Sequence, residues 1–147
     1  MQPLPVRHIF VYGTLCRGEE RDINLLSPAP QAVGRGITRG VLYDLGSYPG
    51  MQLAGQGCNE VVHGEVYSIT AELEKLLDQI EEVWPQQTGE YTKREVLVRV
   101  ACASSLNGYP PHVNLTCLVY AVSPLRTIGK SAITSGDWVH HRLHKVF

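Results

Sequence analysis

A four-residue turn near the start of the chain could bind an anion. The segment HIFVYGTL ends an apolar, β-branched run in Tyr12-Gly13-Thr14-Leu15. A strand that stops at a glycine can turn sharply and expose successive backbone N–H groups, and the Thr14 hydroxyl adds a further donor. Concave runs of backbone amides hold carboxylate or phosphate groups. The segment is therefore either an anion-binding turn or an ordinary turn from a strand into a loop.

A carboxylate at the end of a helical segment could act as a general base. Apolar residues recur at three- and four-residue steps through TAELEKLLDQIEEVWP (residues 70–85), which predicts a helix ended by Pro85. At about 100° per residue, Glu81 falls at the edge of the apolar stripe, whereas Glu82 and Asp78 point away from it. Partial burial and the negative end of the helix dipole both raise a carboxyl pKa, which suits a base working near neutral pH. The alternative is an ordinary residue at the boundary between core and solvent.

Other chemistries have less support in the sequence. The cysteines are far apart and form no CxxC pair, which argues against a zinc knuckle or a redox dithiol; they are Cys16, Cys58, Cys102 and Cys117. Cys16 follows the turn, but no neighbour in sequence would lower its pKa, so a structural thiol is favoured. His140 and His144 are four apart, as in a helical metal pair, yet no third ligand is evident and no metal site is predicted. The chain also lacks GxxxxGK[ST] and GxSxG, which disfavours a nucleotide hydrolase and a common serine hydrolase.

The elements that must position these residues are mostly strands. Five β-rich runs bounded by Gly, Pro, Asn or Ser are predicted at residues 8–13, 37–45, 61–69, 91–102 and 113–122. One helix begins after the N-cap Thr70, and a shorter one is predicted over RDINLL. This order of elements indicates an α+β fold. A length of 147 residues suits a single domain, 1–147.

The composition limits the partners that we expect. A formal net charge of -1 provides no field that would attract nucleic acid or an anionic bilayer. No run approaches the roughly eighteen apolar residues of a membrane span, and MQPLPVRHIF lacks the order of a signal peptide. A cytoplasmic protein is therefore expected, with a small molecule as its partner and with no indication of its oligomeric state.

Six short motifs occur in an order that resembles the gamma-glutamylcyclotransferase-like family. They are VYGTL, YPG at 48–50, VHGEVY at 62–67, LDQIE in the helix, EYTKREVLV and CLVYAV, and the match runs from about residue 8 to 122. The closing SGDW is similar to the tail of small bacterial members. The resemblance implies a compact mixed β-barrel with flanking helices and a cavity floored by the turn.

The resemblance also implies site residues. Glu81 matches the family's general base, and the residues that match its substrate-binding positions are Tyr12, Gly13, Thr14, Leu15, Tyr91 and Tyr120. Two motifs depart from the family pattern on the side of the leaving group. Arg21 and Asp22 stand where Asn and His are usual, and Lys93 occupies the arginine position of the family's YxR, with Arg94 one place later.

The implied activity is an acyltransferase or cyclising lyase type of reaction. A small γ-glutamyl amine or peptide would release 5-oxoproline by intramolecular aminolysis, with no metal or organic cofactor. The alternative is a non-catalytic protein that binds a small ligand in the same cavity. A panel of γ-glutamyl compounds distinguishes the two, because only the enzyme forms 5-oxoproline.

Overall fold

The secondary structure consists of strands with two short α-helices. The computed structural model describes residues 7–55, 58–82, 88–103 and 108–144. The elements in chain order are β1 (Arg7–Val11), β2 (Gln31–Asp44), β3 (Pro49–Leu53), β4 (Val61–Ile69), α1 (Ala71–Ile80), β5 (Tyr91–Cys102), β6 (His112–Val122), β7 (Ser131–Ala132) and α2 (Trp138–Leu143). Short 3-10 helices cover Ile23–Leu25 and Pro124–Thr127.

Five of these strands close into a mixed barrel. Their order is β2-β4-β1-β6-β5, and β5 pairs back onto β2. β1 and β6 run parallel, whereas the other neighbouring pairs of the barrel are antiparallel. At the closure Gly34 lies opposite Cys102, and a Cβ on Gly34 would overlap the carbonyl oxygen of Ala101. β3 and β7 pair with the far part of β2, outside the barrel. The predicted α+β barrel with flanking helices is therefore confirmed.

The strand β6 separates two apolar layers because successive side chains point to opposite faces of a sheet. Cys117 and Val119 lie in a buried cluster with Phe10 of β1. Leu118 and Tyr120 belong to the second cluster, which α1 covers and which also contains Leu73 and Leu77 of that helix. This packing explains why the C-terminal half of β6 is buried on both faces, and it fixes α1 against the barrel.

The helix α1 is shorter than its apolar periodicity predicts. It begins as expected, since the Thr70 hydroxyl accepts a hydrogen bond from the backbone N–H of Leu73 at 3.1 Å. It ends at Ile80, well before Pro85. Glu82 has a φ of 56°, a left-handed backbone that stops helical propagation. The predicted extension through 82 is therefore wrong, and residues 83–87 lie outside the described part of the chain.

Other local elements also differ in extent from those expected from the sequence. RDINLL forms only the 3-10 turn Ile23–Leu25. The strands β3 and β7 were not predicted, and β2 begins at Gln31, six residues before the predicted start. The segment HHRLHK belongs largely to α2, whose Trp138 is buried.

Within the described ranges, no helix has the length and apolar character needed to cross a bilayer. The single domain 1–147 and the cytoplasmic location stay predictions.

Candidate active site

A cavity of about 380 Å³ opens where β1 ends, a size within the usual range for small-ligand sites. Its wall combines the turn after β1 with the end of α1, the start of β3, the start of β5 and Tyr120 of β6. The structure brings every site residue predicted from the sequence to this cavity, namely Tyr12, Gly13, Thr14, Leu15, Glu81, Tyr91 and Tyr120. Residues that are far apart along the chain therefore face one space.

The turn leaves its backbone donors unused. The carbonyls of Gly13, Thr14 and Leu15 accept hydrogen bonds from the N–H groups of Cys16, Arg21 and Ile23 at 2.8 to 3.0 Å. The N–H groups of the same three turn residues make no hydrogen bond with any residue in the described ranges. Three backbone donors are thus held in place by their own carbonyls and remain available to a ligand, as an anion-binding turn requires.

Gly13 is required by space as well as by the turn. Its φ is not in the left-handed region, but a Cβ at this position would lie 2.6 Å from Cγ and 2.9 Å from Cδ of Pro49. The glycine therefore allows β3 to begin directly against the turn. The sequence suggested bare amides as the reason for this glycine, and the contact with Pro49 adds a second reason that sequence reasoning missed.

Three tyrosines line the cavity, and two of them donate hydrogen bonds from their hydroxyl groups to backbone carbonyls. Tyr12 donates to the carbonyl of Tyr120 at 2.7 Å and accepts from the Met51 N–H at 3.2 Å. Tyr91 donates to the carbonyl of Pro49 at 3.0 Å. Burial raises the pKa of all three phenols, Tyr12, Tyr91 and Tyr120, so they stay neutral donors.

Glu81 caps α1 and presents a carboxyl group to the cavity. It is partly buried, and burial raises its pKa to about 7, with the charge of Arg21 acting in the opposite direction and those of Glu90 and Glu82 adding to the rise. Its carboxylate makes no side-chain hydrogen bond or ion pair with the described residues. A carboxyl group with this pKa is divided between its two protonation states near neutral pH, so it can accept a proton and return it. The predicted exposure of Glu82 is confirmed.

The prediction that Asp78 points away from the apolar face is wrong. Asp78 is only 7% exposed and accepts hydrogen bonds from the Tyr120 hydroxyl at 2.7 Å and from the Lys93 ammonium at 2.8 Å. A helical wheel separates apolar from polar residues and cannot show a polar surface that faces the helix. The available signal was the strand register, since Lys93 and Tyr120 are directly opposite each other on β5 and β6.

The two residues that depart from the family pattern after the turn have different roles. Arg21 lines the cavity, and its charge acts on Glu81. Asp22 instead ties its own loop together, because its carboxylate accepts hydrogen bonds from the N–H groups of Gly18 and Asn24, each at 2.9 Å. Arg21 is therefore the departure that bears on a ligand.

Cys16 and the histidine pair do not form a second candidate site. Cys16 is buried, and burial raises the pKa of its thiol well above the usual value, which opposes a nucleophilic role. His140 and His144 are exposed and stacked with ring centroids 4.2 Å apart. Among the described residues, no group of three or more His, Cys, Asp or Glu side chains could hold a metal ion.

Comparisons with known proteins agree with this architecture. An AIG2-like protein from Mus musculus, solved as a crystal structure, superposes with a TM-score of 0.60 at 26% identity, over 82% of this chain and 81% of that one. A putative gamma-glutamylcyclotransferase from Vibrio cholerae is 40% identical over 77 residues, which span 51% of this chain and 62% of that protein. A gamma-L-glutamyl-butirosin B gamma-glutamyl cyclotransferase from Niallia circulans is 29% identical over 137 residues, covering 92% of this chain and 78% of that protein.

The barrel and its cavity thus define a gamma-glutamylcyclotransferase-like fold. The sequence matches the family described as gamma-glutamyl cyclotransferase, AIG2-like, over residues 9–140, and the chain belongs to this family. The predicted family is confirmed, and the family and the names of the relatives both indicate an enzyme. The roles of the individual residues are not given by these likenesses.

Proposed function

We propose that this protein releases 5-oxoproline from a small γ-glutamyl amine or peptide by intramolecular aminolysis, with Glu81 as the general base. The observation that carries the proposal is the placement of Glu81, with a pKa of about 7, in the same cavity as the unused backbone donors of the turn. Family membership supports the reaction class.

The turn binds and orients the reacting end of the substrate. The amides of Gly13, Thr14 and Leu15 hold the γ-glutamyl end, while Tyr91 and Tyr120 form the cavity wall beside it. Because both reacting groups belong to one molecule, holding them at attacking distance can supply about 7–11 kcal/mol of the barrier. Backbone donors directed at the developing oxyanion add electrostatic stabilisation.

Glu81 moves protons between the two nitrogen atoms. Its carboxylate takes a proton from the α-ammonium, and the neutral amine attacks the γ-carbonyl carbon to form the ring C–N bond. The tetrahedral oxyanion then collapses and the original amide C–N bond breaks. The leaving nitrogen takes up the two protons that the α-nitrogen loses, so Glu81 returns to the carboxylate. No step of this sequence calls on a metal or organic cofactor.

The test is turnover by a matched pair of variants. Purified protein is incubated with a panel of γ-glutamyl amines and dipeptides, and 5-oxoproline is measured by chromatography. Glu81→Gln is expected to bind the best substrate with little change but to lose at least about a hundredfold in kcat, in line with the loss of a general base. Glu72→Gln, an exposed position in the first turn of the same helix, is the control and should keep full activity.

Two outcomes would contradict the proposal. Activity retained by Glu81→Gln would remove Glu81 as the base. Binding of γ-glutamyl compounds without any 5-oxoproline would favour the second candidate, a non-catalytic ligand-binding protein. The observation that favours this candidate is the cationic Arg21 in the cavity, where the family pattern has a different residue.

A further inference from the structure

We propose that Lys93 and Asp78 are positioning residues that orient Tyr120 in the cavity and, through Tyr120, hold the first residue of the turn. This inference rests on the proposed function, since it assigns a role in that reaction to two residues outside the cavity wall. It names Lys93, the position at which the sequence departs from the family's YxR pattern.

The contacts form a continuous chain from the surface of the barrel to the turn. Lys93 donates from Nζ to Oδ2 of Asp78 at 2.8 Å, and the Tyr120 hydroxyl donates to Oδ1 of the same carboxylate at 2.7 Å. The carbonyl of Tyr120 accepts from the Tyr12 hydroxyl at 2.7 Å. The Tyr120 hydroxyl is therefore hydrogen-bonded to the helix α1, and the Tyr120 backbone carbonyl is hydrogen-bonded to the turn.

The geometry of the sheet explains why these three side chains meet. Lys93 and Tyr120 are opposite each other in the register of β5 and β6, so their side chains leave the sheet on the same face. The helix α1 packs on this face and places Asp78 between them. The carboxylate links two strands of the barrel to the helix that Glu81 caps.

Among the described residues, Asp78 belongs to an ion-pair cluster of two cations and three carboxylates. The Lys93 ammonium also donates to Oε2 of Glu74 at 2.7 Å, and Arg7 contacts Glu74 at 3.1 Å and Glu95 at 3.0 Å. Burial disfavours the ammonium of Lys93, but its hydrogen bonds to Asp78 and Glu74 outweigh burial and raise its pKa. Removing Lys93 would leave the carboxylate of Asp78 buried without a counter-charge, which destabilises the arrangement that holds the Tyr120 hydroxyl.

The direction of the Tyr120 hydrogen bond is also fixed. Burial and the Asp78 carboxylate raise the pKa of Tyr120, so the phenol keeps its proton and donates it to Asp78. Tyr120 and Glu81 line the same cavity, so Tyr120 shares the site with the proposed base. A shift of the Tyr120 side chain would therefore change the cavity wall beside the reacting groups.

The first experiment compares three variants in steady-state kinetics. Lys93→Met is expected to lower kcat/KM by roughly ten- to a hundredfold, the range expected when a group beside the reaction shifts by about an ångström. Lys93→Arg keeps a cation for Asp78 and should restore most of this loss. Arg7→Met removes a more exposed cation from the same ion-pair cluster without touching Asp78, so it should lower the melting temperature less than Lys93→Met does and leave kcat/KM unchanged.

The second experiment asks whether Lys93 acts through Tyr120. In a Tyr120→Phe background the hydroxyl that Asp78 holds is absent, so Lys93→Met should cost little further kcat/KM. The acid limb of the kcat/KM profile should stay in place in Lys93→Met, because the groups that act on Glu81 are Arg21, Glu90 and Glu82. Equal losses in both backgrounds, or equal losses for Lys93→Met and Arg7→Met, would overturn the inference.

A third measurement does not depend on turnover. In protein with 13C-labelled tyrosine rings, the Tyr120 signal is assigned by its loss in Tyr120→Phe. Lys93→Met should shift this signal, whereas Arg7→Met should leave it in place, and an unmoved signal in Lys93→Met would overturn the positioning role. Wild-type protein without 5-oxoproline formation would overturn the proposed function instead, and the ring signal would still decide whether Lys93 holds Tyr120.

Discussion

Burial and a nearby cation act in opposite directions on the pKa of Glu81. Partial burial at the end of α1 raises the pKa of Glu81. The charge of Arg21, which lines the same cavity, opposes this rise, and the net pKa is about 7. As a general base Glu81 must be the carboxylate, so kcat/KM should fall as the pH drops below about 7. Under the proposed mechanism, Arg21 would therefore extend the active range toward lower pH.

Replacing Arg21 tests this balance. Arg21→Met removes the charge that favours the carboxylate, so the pKa of Glu81 should rise further and the acid limb of kcat/KM should move to higher pH. At pH 7 activity should fall severalfold and recover on the alkaline side. Arg99→Met, an exposed arginine in β5, is the control. An acid limb that does not move in Arg21→Met would show that Arg21 has no influence on the base.

The partial burial of Glu81 and the exposure of Glu82 agree with the helical wheel, although α1 ends at Ile80 and Glu82 has a left-handed backbone. Asp78 was misplaced because its position depends on Lys93 and Tyr120 in other elements, and a wheel contains no information on these partners.

The packing of the turn against β3 links two elements around the cavity. Gly13 faces the ring of Pro49, and the carbonyl of Pro49 accepts the Tyr91 hydroxyl. The start of β3 is thus held between the turn and β5, and any side chain at position 13 must displace it.

A substitution with a matched rescue tests this contact. Gly13→Ala places a Cβ 2.6 Å from Cγ of Pro49, so it should cost about 1–3 kcal/mol of the free energy of unfolding and lower activity. Pro49→Ala removes the Cγ and Cδ atoms while keeping the carbonyl that Tyr91 needs. The double variant should therefore be less destabilised than the sum of the two single variants, as measured by urea denaturation. Strict additivity would mean that the two side chains do not clash.

The boundaries of elements were less predictable than their existence. The run YTKREVLVRVAC is the strand β5 from end to end, and the two-residue spacing of Val96, Val98 and Val100 is what predicts it. β3 was missed since five residues beginning Pro-Gly resemble a turn. The helix α1 ends where Glu82 takes a left-handed backbone. Glycine is the usual residue in that conformation, and because the sequence has glutamate there, it does not signal the end of the helix.

The barrel as a whole converts distant sequence positions into one site. The parallel pairing of β1 and β6, with Ile9 opposite Leu118, sets the turn after β1 beside Tyr120. The second layer, formed by α1 on β6, places Glu81 at the same opening. The chain order of strands does not specify this arrangement, so the resemblance to a family, and not periodicity, is what predicted the barrel and the shared cavity.

A structure of the Glu81→Gln variant with a bound γ-glutamyl amine tests the central claim most directly, because the substrate stays intact when the base is absent. We predict that the γ-glutamyl end lies on the N–H groups of Gly13, Thr14 and Leu15, with its α-nitrogen within hydrogen-bond distance of the side chain at position 81. A ligand bound outside the cavity, or one whose α-nitrogen lies away from that side chain, would contradict the account.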